Sequence, residues 1–83
     1  MLPPDPPLPR LSHRHVEIIT LIGREGLPNK VVAFRLGITL HTLRTHLKKI
    51  CFRIGVAGQS REAVVAFYWR HERDLVDRLR EAA

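Results

Sequence analysis

The sequence predicts an all-α domain of four helices, the last of which carries an extension at its C-terminal end. Apolar residues recur at spacings of three and four along most of the chain, which is the pattern of helices with one buried face. Glycine and proline interrupt this pattern at residues 25–28, at Gly37 and at residues 55–58. No stretch alternates strictly between apolar and polar residues, so no strand is predicted.

Ser12 marks the start of the first helix, because its hydroxyl can accept a hydrogen bond from a first-turn N–H while Leu11 packs on Val16. This helix continues to about Arg24, with an inward stripe made of Ile18, Ile19, Leu21 and Ile22. Pro28 fits a helix start, and a second helix follows over residues 29–36 with Val32, Ala33 and Leu36 turned inward.

Thr39 can cap a third helix over residues 40–54. The inward stripe of this helix consists of Leu40, Leu43, Leu47, Ile50 and Ile54. Ser60 opens a last helical segment, which has no internal glycine or proline as far as Glu81. Ala63, Val64 and Phe67 of this segment are expected to belong to the core.

Three regions follow from these boundaries: a disordered proline-rich tail over residues 1–10, a folded domain over residues 11–68, and an extension of the last helix over residues 69–83. No apolar run approaches the ~20 residues that cross a bilayer, and the N-terminus does not have the form of a signal peptide. The single cysteine, Cys51, favours a reducing cytoplasm and is expected to be partly buried.

Basic residues are concentrated in the middle of the chain. The formal net charge is +6, and residues 29–61 contain seven basic side chains but neither Asp nor Glu. The charges before this stretch balance, and those after it are close to neutral. A solvated surface normally mixes both signs, so an unmixed basic stretch indicates a polyanion-binding face, with a merely solvated face as the alternative.

The second and third helices are separated by only three residues, which predicts a steep crossing of the helix-turn-helix kind. Ala33 is small where the helices meet, Gly37 can adopt a positive φ in the turn, and Leu43 anchors the third helix. The outward face of the third helix is polar and basic. It carries His41, Arg44, Thr45 and Lys48, whose side chains can reach base edges in a major groove.

These residues resemble the LuxR/GerE type of DNA-binding domain. The resemblance covers residues 11–67 and is carried by Leu11-Ser12, Arg14, Gly26-Leu27, Asn29-Lys30, Leu36-Gly37-Ile38-Thr39, Thr42-Leu43-Arg44-Thr45-His46, Arg53-Ile54-Gly55-Val56 and Glu62-Ala63-Val64. It implies that Arg44, Thr45 and Lys48 read bases, and that the sugar-phosphate backbone is contacted by Asn29, Lys30, Thr42, His46 and Lys49. It also implies dimerisation through the last helix.

The chain departs from the family pattern at several positions. His15 replaces an acidic residue, and Pro28 and Val31 replace a second capping pair, which costs ~1 kcal/mol for each lost cap. An extra residue near Ser60 shifts the family's backbone-contacting arginine, so Arg61 is assigned to the DNA backbone beside the position that the family uses.

The C-terminal segment presents an apolar seam beside charged pairs, and this pattern indicates self-association. The residues assigned to a homodimer contact are Val65, Tyr68, Leu75 and Leu79. The alternative is an amphipathic helix that folds back on its own domain.

No catalytic motif and no metal-ligand spacing is found among the five histidines and the single cysteine, so neither an enzyme nor a cofactor is predicted. The first hypothesis is a homodimeric transcriptional regulator that binds double-stranded DNA through residues 40–54 in the bacterial cytoplasm. The alternative is a small interaction protein, similar to sigma-factor region four, that binds RNA polymerase or another regulator.

Overall fold

The computed structural model describes residues 8–81, which form five α-helices and no strand. These are α1 (His13–Gly23), α2 (Asn29–Leu36), α3 (Leu40–Arg53), α4 (Arg61–Arg70) and α5 (Glu72–Glu81). The predicted all-α class is therefore confirmed. None of these helices combines the length and the apolar character that a bilayer crossing requires.

The predicted tail lies mostly on residues 1–7, outside the described residues, but its last three residues contact the domain. Leu8 packs against the hydrophobic core. The carbonyl oxygens of Pro9 and Arg10 accept hydrogen bonds from Arg78 and Arg53, at 3.2 and 3.0 Å. The domain therefore begins earlier than residue 11.

Polar side chains begin three of the helices, as the sequence predicts. Ser12, Thr39 and Ser60 each accept a hydrogen bond from the backbone N–H three residues later, at 3.0 to 3.1 Å. At α2 the cap position is Pro28, and no side chain bonds to the free N–H groups there. The start of α2 is therefore held by contacts other than a side-chain cap.

The connection between α2 and α3 is a tight turn. Gly37 adopts a left-handed conformation with φ of 67°, which costs glycine little because it has no Cβ. The N–H of Ile38 donates to the carbonyl oxygen of Ala33 at 3.0 Å, which closes the end of α2. Three residues thus join the two helices in the predicted helix-turn-helix arrangement.

Helix α1 lies at the centre of the fold and contacts each of the other four helices. The buried core consists of Val16, Ile18, Ile19, Ile22, Val32, Ala33, Leu43, Leu47, Ile50, Cys51, Val64, Phe67, Tyr68 and Leu75. The predicted inward stripes are largely recovered, with Leu21, Leu36, Leu40 and Ile54 at the partly buried margin. Cys51 is completely buried rather than partly so.

The predicted last helix is two helices, because the chain bends at His71. The backbone N–H of His71 bonds to the carbonyl oxygens of Phe67 and Tyr68 at the end of α4, and its ring lies 4.6 Å from that of Phe67. After the bend, α5 packs back on α1 and buries Leu75 completely. The alternative of a segment folding back on its own domain is therefore the one that the structure adopts.

This packing corrects part of the predicted dimer contact. Tyr68 and Leu75 are fully buried in the core of the same chain, so neither offers a surface to a second copy. Val65 and Leu79 are half-buried and pack against that core. A seam centred on Leu75 would need an exposed α5, whereas the apolar side of α5 is already covered by α1.

Candidate nucleic-acid interface

The predicted reading residues lie together on one exposed face of α3. His41, Arg44, Thr45 and Lys48 are all solvent-exposed, at helical spacings of three and four. The opposite face, with Leu43, Leu47 and Ile50, is anchored in the core. Burial of one face therefore holds the other outward, and its polar side chains are free to meet a ligand.

Phe52 extends this face by one turn. It follows Lys48 by four residues, and 82% of its surface is exposed. The sequence alone does not decide whether Phe52 packs against the last helix or meets a partner, and in the structure its side chain is exposed. The reading face thus ends in a large apolar side chain that can contact a thymine methyl group or a deoxyribose ring.

Two residues assigned to the DNA backbone bind each other at the start of α2. The Arg61 guanidinium donates to Asn29 Oδ1 and also, at 2.7 Å, to the carbonyl oxygen of Leu27. Both bonds are partly buried, and they tie the start of α4 to the turn before α2. Arg61 therefore adds a contact from α4 to this uncapped helix start, while Lys30, next to Asn29, remains exposed.

The other residues assigned to the sugar-phosphate backbone of DNA lie on the flank of α3. Thr42 and Lys49 stand one position after His41 and Lys48, about 100° around the helix from the reading face. The Thr42 hydroxyl accepts a hydrogen bond from the Thr39 hydroxyl at 2.9 Å and so supports the cap of α3. Lys49 is exposed.

His46, on the same flank, packs against the first turn of α1. Its ring lies edge-on to that of His15, with centroids 5.4 Å apart. Its Nδ1 atom is buried and has no hydrogen-bond partner. Burial lowers the pKa of both histidines, and nearby cations lower them further: Lys49 acts on both, Arg53 on His15.

Acidic side chains near this surface are paired. On α1, Glu17 bonds to His13 at 3.1 Å and lies 3.8 Å from Arg14. Glu25 pairs with Arg35 at 3.4 Å. Residues 29–61, which include α3, contain no Asp or Glu, so all of their charged side chains are basic. Such a surface attracts polyanions.

Within residues 8–81, no three His, Cys, Asp or Glu side chains form a group that could hold a metal ion. The exposed surface of α3 carries polar side chains that can donate hydrogen bonds. Its donors are guanidinium, ammonium, imidazole and hydroxyl groups, which suit phosphate oxygens and the acceptors of base edges.

Part of the sequence of a bacterial protein is similar to this chain. Over 67 residues, or 81% of the chain, the sequence is 36% identical to the "Transcriptional regulatory protein LiaR" of Bacillus subtilis (strain 168). The matched part is 29% of that relative, so the chain spans less than a third of its length. No family model matches the chain. No solved structure matches it either.

Proposed function

We propose that this chain is a DNA-binding transcriptional regulator that inserts α3 into the major groove. The observation that carries the proposal is the exposed polar face of α3, which lies in a stretch without any acidic residue. Arg44 and Lys48 can donate to guanine acceptors, and Thr45 can offer its methyl group to thymine or its hydroxyl to a base edge. His41 stands one turn earlier on the same face. The similarity to part of a transcriptional regulator supports the same function.

In this function the flanks of α3 face the sugar-phosphate backbone. Lys30, Thr42, His46 and Lys49 are the side chains that we assign to it, because they border the reading face. Asn29 and Arg61 bond to each other, so we expect their main effect to be the orientation of the start of α2. A direct contact of either residue with a phosphate stays a prediction.

We further propose that the regulator acts as a homodimer in the bacterial cytoplasm. Two copies can place their α3 helices in successive major grooves, which converts the second contact into an effectively intramolecular event. The apolar surface that fits this role lies on α4. Val65, Ala66 and Trp69 share one face of that helix, and 55% of the Trp69 surface is exposed.

Selection of bound duplexes from a random DNA pool tests the proposed function. The wild-type chain should enrich a defined motif. Arg44→Ala and Lys48→Ala should each weaken binding to it by about 1–3 kcal/mol and relax the base preference at one position. Arg73→Ala on α5 is the matched control, because it removes an exposed cation far along the chain from α3. Enrichment of no motif, or of an unchanged motif by both α3 variants, would contradict the proposal.

A second candidate function is binding to RNA polymerase, and the exposure of Phe34 favours it. This α2 side chain is 86% exposed and forms an apolar surface with Val31, Ile38 and Leu40. Lys30 lies at its edge, so an apolar segment with acidic neighbours would fit it. Phe34→Ser should then reduce binding to purified RNA polymerase and leave affinity for the selected duplex unchanged. Equal polymerase binding by both forms would remove this candidate.

A further inference from the structure

We propose that the cleft between the start of α1 and the flank of α3 binds a backbone phosphate of the DNA, so that α1 belongs to the interface. We call this the α1–α3 phosphate site. The cleft is lined by Arg10, His15 and Arg53, and the other basic side chains beside it are Arg14, His46 and Lys49. The inference rests on the proposed function and adds to it a helix that has not been assigned to DNA.

The position of the site follows from the geometry of α3. Thr42, His46, Lys49 and Arg53 follow each other at spacings of four, three and four, so they form one row along the helix. The row lies about 100° from the reading face. The start of α1 packs beside it, since the His15 and His46 rings are in contact and Arg53 bonds to the carbonyl of Arg10.

The other side of the reading face is occupied by α2. Leu40 lies on the side of α3 opposite to the row. It lines the apolar groove of α2 together with Val31 and Phe34. A helix in the major groove has a phosphate strand on each side. With α2 facing one strand, the row on α3 and the start of α1 face the other.

The charges around the site favour an anion. The elements that meet there are residues 8–12, α1 and α3. Residues 8–12 contribute Arg10, and α3 has no acidic residue. Glu17, the one carboxylate of α1, is engaged by His13 at 3.1 Å and by Arg14 at 3.8 Å. The histidines, Lys49 and Arg53 thus lie close together without a counter-charge from these elements.

The two histidines give the site a measurable signature. In the free protein burial and the neighbouring cations lower the pKa of His15 and of His46, which favours the neutral form of each ring. A phosphate in the site supplies the missing negative charge, so it should raise these pKa values. The complex then binds more protons than the free chain, and by linkage the affinity for DNA must increase as the pH falls.

The experiment measures affinity for the selected duplex between about pH 6 and 8, around the ordinary histidine value of about 6.5, at constant ionic strength. The wild-type affinity should rise as the pH falls, with a limit of about tenfold per pH unit for each proton taken up. His15→Gln and His46→Gln should each reduce this slope. His71→Gln should keep it, because His71 lies at the bend between α4 and α5, where its ring packs on Phe67.

Proton NMR of the imidazole rings gives an independent readout, and circular dichroism over the same pH range confirms that each variant is folded. The pKa values of His15 and His46 should rise when the duplex is added. Unchanged values, or a wild-type affinity that does not depend on pH, would overturn the phosphate site while leaving the proposed function intact. A wild-type chain that binds no duplex at any pH would overturn both.

Discussion

Gly23 packs tightly against another helix, and the sequence alone does not reveal this contact. It is the last residue of α1, and a Cβ placed on it would lie 2.3 Å from Cβ of the buried Tyr68. Tyr68 in turn donates a hydrogen bond to Glu72 at 3.4 Å, and burial raises the pKa of its hydroxyl. The missing side chain of Gly23 is therefore what lets α4 approach α1.

Gly23→Ala tests this contact, because helix propensity and packing should change the free energy of unfolding in opposite directions. Helix propensity alone would make the variant about 1 kcal/mol more stable, since alanine is the better helix former. Overpacking against Tyr68 should instead lower the free energy of unfolding by about 2–3 kcal/mol. Chemical denaturation followed by circular dichroism measures the difference. A more stable variant would show that the helices can separate at little cost.

The shared exposed face of His41, Arg44 and Lys48 could be predicted from the sequence, whereas the contact between α1 and α3 could not. His41, Arg44 and Lys48 lie on a single helix, so their spacing alone brings them together. His15 and His46 are 31 positions apart in the sequence and meet only through the packing of α1 on α3. The partnership of Arg61 with Asn29 likewise depends on how α4 is placed against α2.

At the level of helices, the bend at His71 decides what the end of the chain does. Neither glycine nor proline marks it, so the sequence predicts an uninterrupted helix. The apolar residues of α5 are best buried when the chain turns back on α1, and this tertiary packing overrides the local preference for one long helix. By contrast, local signals set the starts of α1, α3 and α4, where a capping side chain acts within one turn.

Leu75→Ala measures the contribution of α5 to the fold. Leu75 is completely buried, so its truncation should lower the free energy of unfolding by about 2–5 kcal/mol. Arg73→Ala, on the exposed side of the same helix, should change it by less than about 0.5 kcal/mol. The loss should be independent of protein concentration, since Leu75 packs within one chain. A loss that disappears on dilution would instead indicate a contact between copies.

For the molecule as a whole, the distribution of charge should govern the proposed binding to DNA. Arg44, Lys48, Lys49 and Arg53 give α3 its positive charge, while the sequence after residue 61 is close to neutral. Two chains can therefore approach each other through α4 without bringing their most basic surfaces together. Each phosphate neutralised by a bound protein contributes about −0.9 to the slope of log affinity against log salt.

Trp69→Glu tests the assembly. The charge should prevent association through the exposed face of α4. The monomer should stay folded, because 55% of the Trp69 surface is exposed. Sedimentation should then show monomers, and the salt slope of DNA binding should fall to about half of the wild-type value. Ala66→Ser, a small change on the same face, serves as the control. Identical sedimentation of wild type and Trp69→Glu would exclude α4 as the contact.

Trp69 is exposed and is the single tryptophan of the chain, so its fluorescence can report on association without a label. Indole emission shifts to shorter wavelength when water leaves the ring, so a dilution series of unlabelled protein should show the emission moving to longer wavelength as copies separate. No other indole contributes to this signal. The emission spectrum therefore reports on this one position of α4, and adding duplex to a dilute sample would reveal whether DNA itself draws two copies together.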